Sequence, residues 1–267
     1  MFSFSLCCFI AFIGGCAGLL SGLFGIGGGA ILVPALYYGL CSFGYAESAM
    51  HIAVSTSVAC IVVIGSVTAR NHYKNGLVDF NLVKKFFPGI LVGLFIGINL
   101  FNLFSGEILK VLFGCIQLVC GSYMFFRTNN TVLFQNLPNN LAISCFSCLN
   151  SCLSLLMGIG GGVQNTIFMT IFNVPFRQAV AVSACLGPII ALGSTIAIML
   201  FSNNVPVALE GHNVGCINLE LFLLITISSA IMSPLGVRLS CVLPVEKLKK
   251  YFSIFVLLLS CKMLGVF

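Results

Sequence analysis

Charge is what this sequence has least of. Only 7% of its 267 residues are Asp, Glu, Lys or Arg, against about 25% in an ordinary soluble domain. So few charges cannot cover a water-facing surface on a chain that is 59% hydrophobic, with mean hydropathy +1.14. No stretch is both long and polar enough to form a separate soluble domain. Other absences narrow the chemistry. Gly-Lys-Ser/Thr does not occur, so a P-loop nucleotide site has no support. Most of the 14 cysteines lie inside apolar runs, Cys60, Cys120 and Cys185 among them, where cysteine behaves as a small hydrophobe. Cys145-Phe-Ser-Cys148 has no second pair or histidine at zinc spacing. No metal site and no cofactor are therefore expected. The first apolar run lacks the charged start and small-residue cleavage site of a signal peptide and reads as a retained helix. Glu47, Asp79, Glu107, Glu210, Glu220 and Glu246 all fall at or near loops or helix ends, which leaves no buried carboxylate relay of the kind proton pumps use. The net charge of +6 comes from residues at the ends of apolar runs. That suits membrane flanks and not a nucleic-acid surface.

Glycine, by contrast, is placed with a pattern. Gly25-Ile26-Gly27-Gly28-Gly29 interrupts one apolar run and Gly158-Ile159-Gly160-Gly161-Gly162 another. Each glycine disfavours a helix by roughly 1 kcal/mol against alanine, so three in a row open it. In lipid an opened backbone is tolerated only where protein or a water-lined cavity satisfies it. Paired glycine-interrupted segments in corresponding places point to a transporter's binding site. Close helix packing is the plainer use of such glycines, and Gly14, Gly18 and Gly22, on one helical face, read that way.

Apolar runs of about 20 residues give spans near 2–24, 48–69, 86–104, 107–126, 141–157, 179–201, 219–239 and 248–267, with short pieces at 30–40 and 162–172. The expected fold is an all-α polytopic membrane helix bundle: about 8 spanning helices plus short re-entrant or half helices. Two halves repeat. Gly25 and Gly158 differ by 133, Ala53-Val-Ser55 meets Ala181-Val-Ser183, and Glu107 meets Glu246. Residues 1–127 form the first repeat, 128–140 the linker and 141–267 the second. Basic content places both 70–85 and 238–250 in the cytoplasm. If the short pieces do not cross, five crossings separate those regions. If they do, there are six, and five crossings per half invert the repeats.

The run from Gly18 through Gly25-Ile-Gly-Gly-Gly29 to Pro34 resembles the first signature of the TauE/SafE family of membrane permeases. Met157-Gly-Ile-Gly-Gly-Gly162, followed by Ala179-Val-Ala-Val-Ser183, is similar to its second-half counterpart, without a proline matching Pro34. The resemblance covers essentially the whole chain. It implies a multi-pass permease of the cell membrane that moves small sulfur-containing or organic anions, sulfite and sulfonates included.

An opened helix presents backbone N–H groups at the start of the following piece, where the helix dipole also favours anions. The expected substrate-binding residues are Gly25, Gly27, Gly28, Gly29, Gly158, Gly160, Gly161 and Gly162, with side chains from Ser55, Thr56, Gln164, Asn165 and Ser183. A serine or threonine in such a helix also has the option of bonding its own backbone. Arg177 and His51 read as an interfacial anchor and a structural histidine. Lys262, inside the last apolar run, reads as snorkelling to the interface. The expected partners are a small anion and the bilayer, with homo-oligomerisation left open. Gly25-Ile-Gly27-Gly-Gly-Ala30 formally fits G-x-G-x-x-A, but that fingerprint needs a soluble βαβ unit, and the flanks here are apolar helices. No enzyme is expected. The competing reading is a membrane scaffold or assembly factor that transports nothing.

Overall fold

The structure, a computed structural model, describes residues 4–24, 28–126, 134–202, 212–242 and 245–266. Gly25 and Gly27 of the first cluster lie outside the described residues. The described residues form ten helices: α1 (Phe4–Phe24), α2 (Gly29–Ser42), α3 (Ala49–Lys74), α4 (Phe80–Leu103), α5 (Gly106–Phe126), α6 (Asn140–Met157), α7 (Gly162–Ile171), α8 (Phe176–Phe201), α9 (Leu219–Val242) and α10 (Val245–Met263). A two-residue hairpin, β1 (Asn213–Val214) and β2 (Ile217–Asn218), precedes α9. Helix α4 starts six residues before the expected 86. The Asp79 carboxylate accepts from Asn81 N at 2.9 Å and Leu82 N at 3.2 Å. This cap satisfies two of the N–H groups a helix start leaves unpaired and takes Lys84 and Lys85 into the helix.

Small residues set the closest helix pairs. Gly14, Gly18 and Gly22 of α1 lie against Ser228, Ser229 and Ser233 of α9, the two helices running in the same direction. Gly89, Gly93 and Gly97 of α4 meet Ser147, Cys148 and Cys152 of α6 in the same way, and Ser147 Oγ donates to the Phe86 carbonyl at 2.5 Å. A side chain at Gly14, Gly18, Gly22, Gly89 or Gly93 would overlap the facing backbone or side chain, and at Gly97 it would be tight, so backbone approach is what these glycines provide. The two longest helices, α3 and α8, pack across each other in the centre, Gly65 against Pro188.

The short helices turn back. Asn150 of α6 bonds Asn165 of α7, and Phe146 stacks on Phe168 at 3.9 Å between centroids. Moving forward along α6 is therefore moving backward along α7. At the far end, Phe134 N donates to the Ile171 carbonyl at 3.3 Å. Helix α7 thus returns to the end of the bundle where α6 began. Helix α2 runs opposite to α3, with Gly29 beside Ile61 and Val33 near Val54, and ends with Tyr38 against Lys262. The pair α1–α2 enters from one end and α6–α7 from the other.

This changes the expected crossing count. Six described helices, α3, α4, α5, α6, α8 and α9, are long and apolar enough to cross a membrane. One of them, α6, together with α7 makes no net passage. The connections after α3 and after α9 consequently lie at one end of the bundle, which we call the basic end. The 43–48, 104–105 and 202–218 connections form the other, the acidic end. Large apolar side chains face outward around the middle. Phe95 is 74% exposed and Ile231 67%, as expected for a wall in hydrocarbon and untenable in water.

Candidate functional site

The two breaks meet beside the crossing of α3 and α8. Gly158 caps α6 in the left-handed region (φ +69°), and Gly160 and Gly161 follow at +74° and +71°. Such backbone is open to glycine at no steric cost, and it reverses the chain into α7. Gly28 opens α2 at φ +78°, close to Ala17 of α1. A β-carbon on Gly29 would overlap the Gly158 carbonyl oxygen and come within 2.6 Å of Ile159 Cα. The first break is therefore packed backbone to backbone on the second. Gly160 faces Ile61 and Gly187, and Gly161 faces Asn150 and Ser154, where a β-carbon would sit 2.6 Å from both side chains.

The opened backbone is satisfied from neighbouring elements, as an apolar medium requires. Ser57 Oγ of α3 donates to the Gly158 carbonyl at 2.8 Å, and Ser154 O receives Gly158 N at 2.9 Å. The Gly161 carbonyl receives Asn165 N at 3.0 Å and Asn150 Nδ2 at 3.5 Å. Thr166 Oγ1 lies 2.9 Å from both the Gly162 carbonyl and Ser183 Oγ, and its one proton can be given to either.

Around this junction stand polar atoms with no hydrogen-bond partner among the described residues: Gln164 Nε2 and Oε1, Asn165 Nδ2 and Asn150 Oδ1. Asn150 Nδ2 donates to Asn165 Oδ1 at 2.9 Å. That bond leaves the Asn150 carbonyl oxygen and the Asn165 amino group without a partner. Unpaired buried polar groups are rare in folded proteins, and several beside one backbone break set this place apart.

Ser55 and Thr56 sit towards the acidic end, under the β1–β2 hairpin. Asn218 N donates to Thr56 Oγ1 at 3.4 Å, and the Cys216 thiol lies beside Ser55. Cys216 and Asn218 are fully buried. Burial pushes the Cys216 thiol up from its usual pKa. At the basic end the 75–79 connection leaves a cavity of 720 Å³ lined by Gly76, Asp79, Asn81, Pro175, Arg177 and Gln178.

The sequence-derived site residues therefore divide. The structure gathers Gly28, Gly29, Gly158, Gly160, Gly161, Gly162, Asn165 and Ser183 around the junction, with Gln164 one residue along α7. It sets Ser55 and Thr56 beneath the hairpin instead. Sequence reasoning missed Asn150 and Thr166. Asn150 is a lone amide in an apolar run, a signal that was available. Among the described residues no cluster of three His, Cys, Asp or Glu could hold a metal ion.

Apolar helices with an outward-facing hydrocarbon wall, two opposed helical hairpins and a broken-helix junction between them define a multi-pass membrane protein of the transporter class. Residues 10–263 match the family described as Sulfite exporter TauE/SafE, and the chain belongs to that family. It is 31% identical over 264 residues, 98% of this chain and 99% of the relative, to a Haemophilus influenzae protein named "Probable membrane transporter protein". A Methanocaldococcus jannaschii protein of similar name is 26% identical over 241 residues, 85% of this chain and 84% of its own. No solved structure matches the chain.

Proposed function

We propose that the chain carries a small anion, sulfite, a sulfonate or another small organic anion, across the cell membrane and holds it where the two helix breaks meet. The observation that carries this reading is the contact of Gly29 with Gly158 and Ile159. Two helix starts, those of α2 and α7, converge there, each with N–H groups that its own helix leaves unpaired. The amide of Gln164 and the free atoms of the Asn150–Asn165 pair, Asn150 Oδ1 and Asn165 Nδ2, add hydrogen-bonding capacity without a fixed charge. An anion bound by dipoles alone is held weakly enough to leave again, as transport requires.

The arrangement of helices supports two inverted repeats, 1–127 and 141–267, joined by 128–140. Helix α1 packs on α9 as α6 packs on α4. Helix α2 packs on α3 as α7 packs on α8, and α3 meets α8 as α5 meets α10. Exchanging each helix for the one five places on reproduces these pairings. Among the described residues the acidic end carries Lys110 and Lys262 together with Glu47, Glu107 and Glu220, while Arg70, Lys74, Lys84, Lys85, Arg177 and Arg238 belong to the basic end. Basic loops stay in the cytoplasm, so the basic end is the cytoplasmic one. The hairpin covering Thr56 at the other end fits a conformation closed on the outer side.

Reconstitution tests the reading. Purified protein in liposomes is expected to give saturable flux of sulfite or of a small sulfonate, and one anion in a panel should compete with another. Folded, correctly inserted protein that moves no member of the panel would favour a scaffold.

A further inference from the structure

We infer that a groove between α2 and α10 at the acidic end binds one phospholipid with a net negative headgroup. The groove has a volume of 550 Å³ and is lined by Ile31, Pro34, Ala35, Phe255 and Leu259, with Tyr38, Ser42 and Lys262 towards the helix ends. From Ile31 to Ser42 it follows α2 for about 16 Å at 1.5 Å per residue, about half the hydrocarbon thickness of a bilayer. Leu258, beside it on α10, is 56% exposed, so the groove faces hydrocarbon and not the centre of the bundle.

Lys262 gives the groove its polarity. Its Nζ stands 4.6 Å from the centroid of the Tyr38 ring, and Tyr38 Oη donates to the Lys262 carbonyl at 2.7 Å. The cation–π contact and the hydrogen bond fix the ammonium at the mouth of the groove. The other lysine at this end, Lys110, is 3.6 Å from the Glu107 carboxylate. Among the described residues no carboxylate pairs with Lys262. An apolar trough one leaflet long, ending at an unneutralised cation, complements a fatty chain ending in a phosphodiester. A free anion has no use for the trough, and an apolar solute has none for the lysine. The groove also reaches within a turn of Gly28 and Gly29, so a lipid seated there lies against the first break.

Native mass spectrometry of the full chain, released from nanodiscs of equimolar phosphatidylglycerol and phosphatidylcholine, tests this. One phosphatidylglycerol should be retained preferentially. Lys262→Gln should lower its retention about fivefold, the effect of one basic residue at an anionic lipid surface, and leave phosphatidylcholine unchanged. Ala35→Phe and Leu259→Phe, two separate ways of filling the trough, should each displace the lipid while the helical circular dichroism is kept. Equal retention of the two lipids by the wild type, unchanged retention in Lys262→Gln, or a dimer that holds no lipid would each overturn the proposal.

Discussion

One β-carbon is enough to disturb the junction. At Gly161 it would meet Asn150 Nδ2 and Ser154 Oγ at 2.6 Å on a backbone at φ +71°, a conformation that side chains resist. The neighbouring amides are as sensitive for a different reason. Removing one partner of a buried hydrogen bond strands the other, at about 1–3 kcal/mol. Asn150→Ala and Asn165→Ala should each lower stability by roughly that amount, and the double variant by less than the sum, read from thermal or denaturant unfolding in detergent. Strictly additive losses would mean that the two amides do not depend on each other. Ser183 and Ser55, fully buried, give a second residue-scale prediction. Replacement of either by Leu should reduce flux more than replacement by Ala, and normal flux in all four variants would take both out of the pathway. Asn150 was invisible to the motif because the motif ends at the glycines, while the residue that packs on them lies eleven positions earlier.

Hairpins are the elements that matter most here, and only part of each was legible in the chain. The GIGGG clusters announce that a helix is broken. They do not say whether the next piece continues or turns back, because glycine permits both. The reversal is set by the Asn150–Asn165 bond and the stacking of Phe146 on Phe168, contacts between residues 15 and 22 positions apart that no local pattern encodes. The start of α4 was displaced in the reading for a similar reason: hydropathy finds where the apolar run begins, and the Asp79 cap decides where the helix does. The β1–β2 hairpin falls between the expected spans 179–201 and 219–239, although Cys216 and Ile217 are core residues. If this hairpin closes the outer side of the pathway, the Asn218–Thr56 bond is its latch. Thr56→Val should then speed alkylation of Cys216 several-fold in a variant that keeps Cys216 as its one cysteine. The raised thiol pKa should keep the wild-type reaction slow near neutral pH. An unchanged rate in Thr56→Val would leave the hairpin a fixed cap.

At the scale of the whole molecule, charge and fold agree. The basic loops come together at one end because α6 and α7 cancel as crossings. Cysteine placed at Glu47, on a background without accessible native thiols, should react with an impermeant maleimide in intact cells. Cysteine placed at Asn75 should react only after permeabilisation, and the reverse pattern would invert the assigned orientation. The membrane setting and the all-helical class follow from composition alone, since 7% charge leaves no other solvent for this surface. The facing of the two breaks follows from the arrangement of ten helices, with Gly29 on Gly158 across 129 positions of sequence. That contact is the centre of the account, and anion flux tests it most directly. Gly28→Ala and Gly161→Ala together should abolish nearly all anion-dependent flux in proteoliposomes, normalised to folded protein in the membrane, with each single variant partly impaired. Full flux with unchanged substrate affinity in the double variant would mean that the glycines serve helix packing and that the anion passes elsewhere.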